Sequence, residues 1–338
     1  MSTAFSSRIL TSRSLAAIYC FALMGIGAKA APSAKGAPLV PGPTIEIANS
    51  TGKFDFLEVD AKRHRLLAAH ESDGTADIFD LESNRLIARI EIGGAPVHVA
   101  TDPKTGKYFV SAQEGERVAV VSSDTLKETN SIRMEGPLDG ILFNPKNRRV
   151  YVGNDEGKHL WVIDADSEKI VGDIAIPGAP EYLVYDAASD RIYLNIKVTD
   201  EIVVIDPAKN AVVAHWPTAP AKQPHGLAID AKSRRLFSAG ANGVLAIVDM
   251  TTGKVIGSSK IAEKVDQATF DPATRRIYCA ATGWLSVVQE TADGAEFLGS
   301  VESHATARNV TVDPKTDMVW TTYTDGAKSY AKSWKPVR

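Results

Sequence analysis

The chain has 338 residues, 44% hydrophobic and 23% charged, with 38 Lys and Arg against 41 Asp and Glu. That length is ample for a large core and fits either two domains or one big all-β domain. One of its two cysteines lies among the first thirty residues, so an internal disulfide in the remainder is excluded.

From the N-terminus, Arg8 and Arg13 come first, residues 14–28 are largely apolar, and no acid occurs before Glu46. Ala28 and Ala30 put small residues where a signal peptidase needs them, so residues 1–30 read as a secretory signal peptide cleaved after Ala30. The apolar run is too short for a membrane span. Tyr19 before Cys20 argues against a lipoprotein, and there is no twin-arginine pair. The expected location is therefore the periplasm or the exterior. Removing three bases with the leader leaves 35 Lys and Arg against 41 acids, a formal charge of about −6. Residues 31–43 read as a flexible segment.

From residue 44 onward one pattern repeats. An apolar stretch ends in Asp or Asn, a polar hairpin follows, and a second β-rich run comes next. The marker residues are Asp60, Asp102, Asn144, Asp186, Asp230, Asp271 and Asp313, spaced by 42, 42, 42, 44, 41 and 42 residues. Each unit resolves into four strands by alternation and turn chemistry. In the third, residues 138–143, 149–153, 160–163 and 169–176 are strands a to d. Such a sheet has two apolar faces that only neighbours can cover, and radial closure protects its edges. The expected fold is all-β, a seven-bladed β-propeller of four-stranded antiparallel blades over residues 44–338. The seventh unit lacks strand d, and residues 44–48 are expected to pair with 328–334 and close the ring.

Tyr151-Val152-Gly153-Asn154 is one letter from a YVTN tetrad. Tyr193-Leu194-Asn195 and the run endings at Asp164, Asp206 and Asp249 follow the same repeat, as do Gly94-Ala95-Pro96 and Gly178-Ala179-Pro180 before strand a. The chain resembles YncE-like YVTN-repeat propellers over about residues 44–338. The resemblance implies the fold, and members that are mostly binding or interaction modules of the cell envelope; it implies no shared catalytic motif.

In a propeller the d–a and b–c loops open on one face around the axis. Five residues before each marker stand Asp55, Val97, Asp139, Glu181, His225, Asp266 and Arg308, six of the seven ionisable. They are read as a ligand site at the channel mouth, together with His98, Tyr182 and Asn309 from the next position. The acids favour a cation or an amine. Asp139, Glu181 and His225 are the candidate ligands of a divalent cation, with calcium or magnesium suiting oxygen donors better than copper. His70 and His304 are expected to face the same mouth; His64, His159 and His215 have structural or solvated roles, and Cys279 is a small buried residue. No cofactor is expected. Fifteen bases in the a–b turns ring the opposite face, but acids in the c–d turns accompany them and no aromatics interleave, which disfavours nucleic acid.

The function expected is a monomeric, non-enzymatic module that binds a small polar ligand, a peptide or an envelope protein at the mouth. The alternative is a propeller enzyme (a lyase, lactonase or metal-assisted hydrolase) using the same acidic and His-bearing mouth, with no catalytic residue singled out.

Overall fold

The computed structural model describes residues 36–337; the signal-peptide reading falls outside them. Seven four-stranded antiparallel sheets form a seven-bladed β-propeller, and no helix occurs among the described residues. Blade one comprises Leu57–Asp60, Arg65–His70, Thr75–Asp80 and Arg85–Glu91, and the next five blades repeat this order. Blade seven takes Thr311–Val312, Val319–Asp325 and Lys328–Pro336 from the C-terminal end of the chain. Its fourth strand is Leu39–Ala48.

That closing strand pairs Thr44 with Lys332 and Ala48 with Lys328, as the missing strand d required. It begins earlier than the sequence reading placed it. Leu39 pairs with Pro336 and is 1% exposed, so part of the supposed flexible segment is ladder, with an irregularity between Pro41 and Thr44. Prolines had masked this stretch; a strand at the sheet's edge tolerates them because its outward N–H groups need no partner.

The markers recur for a local reason. The side-chain oxygen of every marker accepts a backbone N–H from its a–b turn at 2.9–3.2 Å, beginning with Arg63 N–H on Asp60 and ending with Lys315 N–H on Asp313. Asp and Asn are the short side chains able to close that turn. Four residues after each marker the chain turns left-handed, with φ between 52° and 72° at His64, Gly106, Arg148, Asp190, Arg234, Arg275 and Asp317. Some of these side chains then reach the marker of the preceding blade: Arg148 donates to Asp102 at 2.8 Å, Arg234 pairs with Asp186, and His64 meets Asp313 at 2.8 Å across the closure.

The core lies between blades. Phe109, Val118 and Val120 of blade two pack with Ile141, Val150 and Val152 of blade three. The tyrosines at Tyr108, Tyr151, Tyr193 and Tyr278 are fully buried, and Tyr108 O–H donates to Asp60 at 2.8 Å. A full aromatic side chain excluded from water contributes roughly 2–3 kcal/mol, so the recurring Tyr is a packing element.

Candidate functional site

The a–b ladder of blades two to six slips its register at the ring positions, between Pro96 and His98, Leu138 and Ile141, Pro180 and Leu183, Pro224 and Leu227, and Val265 and Gln267. A bulge of this kind re-aims a side chain out of the sheet. Neighbouring blades hold the bulged backbone: Ser111 Oγ donates to the Asp139 carbonyl at 2.8 Å, and Asn195 Nδ2 to the His225 carbonyl at 3.0 Å.

As a result Asp55, Val97, Asp139, Glu181, His225, Asp266 and Arg308 line one cavity of about 210 Å3 on the propeller axis. Wider grooves lie beside Val40 and Lys335 and beside Val198 and Asn242, but neither receives a residue from every blade. Five further residues line the axial cavity, Phe56 and the polar Lys53, Gln113, Asp155 and Lys197. The last three stand eleven residues after a marker, where strand b gives way to the b–c loop. That phase carried the signal, and the sequence reading did not use it.

The charges divide into two groups. Arg308 lies 3.2 Å from Asp55 and 3.1 Å from Asp266, bridging both. Lys197 lies 2.7 Å from Glu181 and 3.3 Å from Asp155, whose other oxygen accepts Gln113 Nε2 at 2.8 Å. Lys53 is taken by Glu71 at 2.6 Å. Two internal cations thus face five carboxylates and pair with four of them, Asp55, Asp266, Asp155 and Glu181. The carboxylate left over is Asp139, which is 7% exposed and has no hydrogen-bond or ion-pair partner among the described residues.

The titration behaviour follows from that shortage. Burial, then the charge of Asp266, pushes Asp55 up to about 7 against the pull of Arg308. Burial, then Glu181 and Asp55, holds Asp139 well above the carboxylate range. Burial also raises Glu181, although His225 and Lys197 oppose it. Burial works against the Lys197 ammonium, yet Glu181 and Asp155 keep it above its ordinary value. Burial and neighbouring acids thus raise these carboxyls where cations are too few to offset them.

His225 donates Nδ1–H to the Gln223 carbonyl at 2.8 Å, and its Nε2 is 3.9 Å from Glu181, beyond a hydrogen bond. The acids whose oxygens come within 4.8 Å of one another are Asp139, Glu181 and Asp155. His225 is not in that trio, so the candidate metal ligands differ from the expected set by one residue.

Three expected mouth residues lie elsewhere. His98 and Tyr182 line a separate cavity with Glu58, and with Phe56 they form a triangle of rings whose centroids are 4.9–5.3 Å apart. Asn309 is 1% exposed and stitches blades one and seven, donating to the Asp55 carbonyl at 2.8 Å and accepting from Thr322 N–H at 2.8 Å. One step beyond the bulge, a side chain turns back into the sheet; the sequence alone does not show where the register slips.

Neither of the other mouth histidines arrives. His70 is fully buried against Phe54 and Asp77, and His304 stacks on Tyr323 with centroids 4.5 Å apart. Cys279 is buried as expected, and burial raises its thiol.

Many of the bases of the opposite face are paired locally. Arg63 pairs with Asp124, Arg148 with Asp166 and Asp102, Lys107 with Glu168, Lys146 with Asp190, and Lys315 with Glu82, all at 2.5–2.8 Å. Arg235 and Arg275 grip the buried Glu290 at 3.1 and 3.0 Å.

No family model matches the chain, and no curated protein matches it. Among solved structures it is similar to a chain of Kuenenia stuttgartiensis hydrazine synthase, with a TM-score of 0.69 and 13% identity over 81% of this chain and 95% of that one. At that identity the likeness shows the propeller fold alone. No candidate membrane-spanning helix occurs among the described residues.

Proposed function

We propose that this chain is an exported, non-enzymatic propeller of the YncE-like kind that binds a small polar ligand at its channel mouth through a cationic group, an amine foremost. The carrying observation is Asp139: a buried carboxylate in an axial cavity, beside two acids that already hold the Lys197 ammonium. Asp139 has no ion-pair partner of its own while Glu181 and Asp55 add like charge, so an ammonium arriving between it and its neighbours would be stabilised. Oxygen acceptors, a concave wall and rigid strands suit recognition. The binding reading uses the mouth acids as they stand, whereas the enzymatic alternative would use the same Asp139, Asp155 and Glu181 with a bound metal. Export rests on the signal-like composition of residues 1–30, and the family reading on the YVTN-like repeats.

A divalent cation is the second reading, favoured by the approach of Asp139, Asp155 and Glu181 within 4.8 Å. Lys197 counts against it, because an ammonium beside two of the three acids repels a dication. Isothermal titration with putrescine, arginine amide, calcium and magnesium separates the two. Amine binding weakened at least about tenfold by Asp139→Asn supports the proposal, since an ion-paired hydrogen bond accounts for that order of free energy. Calcium binding without amine binding supports the metal, and silence from all four probes rejects a cation site.

A further inference from the structure

Beside the ring of mouth residues lies a second, open-sided chamber of about 110 Å3 whose lining includes Glu58, His98, Tyr182, Ile141, Leu142 and Leu183. Phe56 lines the mouth cavity while its ring partners His98 and Tyr182 line the second, so the aromatic triangle separates the two. Two polar groups in this chamber serve no visible structural purpose.

The first is the outer nitrogen of His98. The Ile141 N–H donates to His98 Nδ1 at 3.2 Å, so Nδ1 offers its lone pair and the proton of a neutral ring must sit on Nε2. Burial keeps the ring neutral by lowering it to about 3. The residue is 3% exposed, and Nε2 has no partner among the described residues. A ring in this state is a hydrogen-bond donor, not a metal ligand.

The second group is the Glu58 carboxyl, which has the Val59 N–H as a donor and no side-chain partner among the described residues. At the same phase, two before the marker, the other blades carry Ala100, Leu142, Val184, Ala228, Thr269 and Thr311. A carboxyl here is therefore no requirement of the blade. The buried His98 Nε2–H without an acceptor costs about 1–3 kcal/mol, and the half-buried Glu58 carboxyl, which takes only the Val59 N–H, lines the same chamber with acceptor capacity to spare.

We infer that this chamber is a second binding site, for a small uncharged molecule whose hydroxyl or primary amide accepts from His98 Nε2–H and donates to Glu58. Its short apolar body rests against Ile141, Leu142 and Leu183. The volume is below the roughly 150 Å3 that holds benzene in an engineered cavity, so the occupant has only a few heavy atoms.

The test is a long-range proton–nitrogen NMR titration of the full chain labelled with 15N-histidine, using propionamide and 2-propanol as probes and propionate as the charged control. The expected spectrum shows His98 as the Nε2–H tautomer, with a resonance that shifts saturably with one or both uncharged probes. Glu58→Leu is expected to weaken that shift at least tenfold, Glu58→Gln to retain it within about threefold through its carbonyl, and Asp139→Asn to leave it unchanged. A retained His98 tautomer in each variant reports that the fold is intact. An Nδ1–H tautomer, no saturable shift with either uncharged probe, propionate binding as tightly as propionamide, or parent-like binding in Glu58→Leu would each overturn the assignment.

Discussion

The two faces of the propeller use the same repeat in opposite ways. On the turn face the marker position hardly varies, and its carboxylates are matched by turn N–H groups and by bases from neighbouring hairpins. On the mouth face, five residues earlier, the ring position takes five residue types over the seven blades, and its carboxylates outnumber the cations that reach them. A position that repeats reports what a blade needs; one that varies at constant phase reports what the ring as a whole does. The burial of Asp102 and Asp139 is similar, at 1% and 7% exposed, so partners rather than depth separate the faces.

The sharpest way to break this contrast is Glu290→Ala. Glu290 is 3% exposed and held by Ser233, Arg235 and Arg275, so truncation leaves the largely buried Arg235 without its carboxylate. Urea unfolding is expected to show a loss of about 3–5 kcal/mol; a loss below about 1 kcal/mol would mean the turn face is not structurally matched. Next comes Asp102→Ala, which removes the acceptor for Lys104 N–H, Thr105 Oγ1 and Arg148. A cap and a charge-assisted bond together account for about 2 kcal/mol, readable as a lower melting temperature.

The pH profile then sets the faces against each other. Mouth carboxyls have raised values in the folded chain, about 7 for Asp55, so their contribution is fully present below the unfolded value near 4 and is lost as pH rises towards 7. On the turn face burial opposes ionisation, but Arg148 and Thr105 hold Asp102 low, and Ser189 and Arg234 hold Asp186 low. That contribution is present above the unfolded value and is lost as pH falls below about 4. Denaturation midpoints are expected to peak in mildly acid solution, whereas a midpoint still climbing from pH 5 to 7.5 would show the mouth acids to be satisfied. The smallest effect belongs to Lys315→Ala. Its pair with Glu82 is 60% and 74% exposed, so the unfolding curve is expected to overlay that of the parent.

Periodicity made the fold legible. Seven markers set the phase, and the shortfall in the last unit located the closing strand, though Leu39 and Val40 hid behind prolines. The mouth was legible through the same phase, and Asp55, Asp139, Glu181, His225, Asp266 and Arg308 do converge. Bulges were not, and they decide that Asp139 faces the channel while His98 and Tyr182 turn inward; Asn309 is held inside by its bond to the Asp55 carbonyl. Asp155 and Lys197 were missed because the b–c loops were not aligned by phase as strand a was. Glu58 escaped for a different reason: it departs from its own column, in a channel whose interior no single repeat describes.

The most direct test of the mouth's surplus charge is to compare unfolding of the parent and Asp139→Asn at pH 5 and pH 7.5 in the absence of added ligand. With a buried carboxylate that lacks a partner, the amide is expected to be neutral or mildly stabilising, by about 1 kcal/mol, and the gain to be larger at pH 7.5. A loss of stability at both pH values would contradict this, making Asp139 a structural acceptor like the markers of the opposite face.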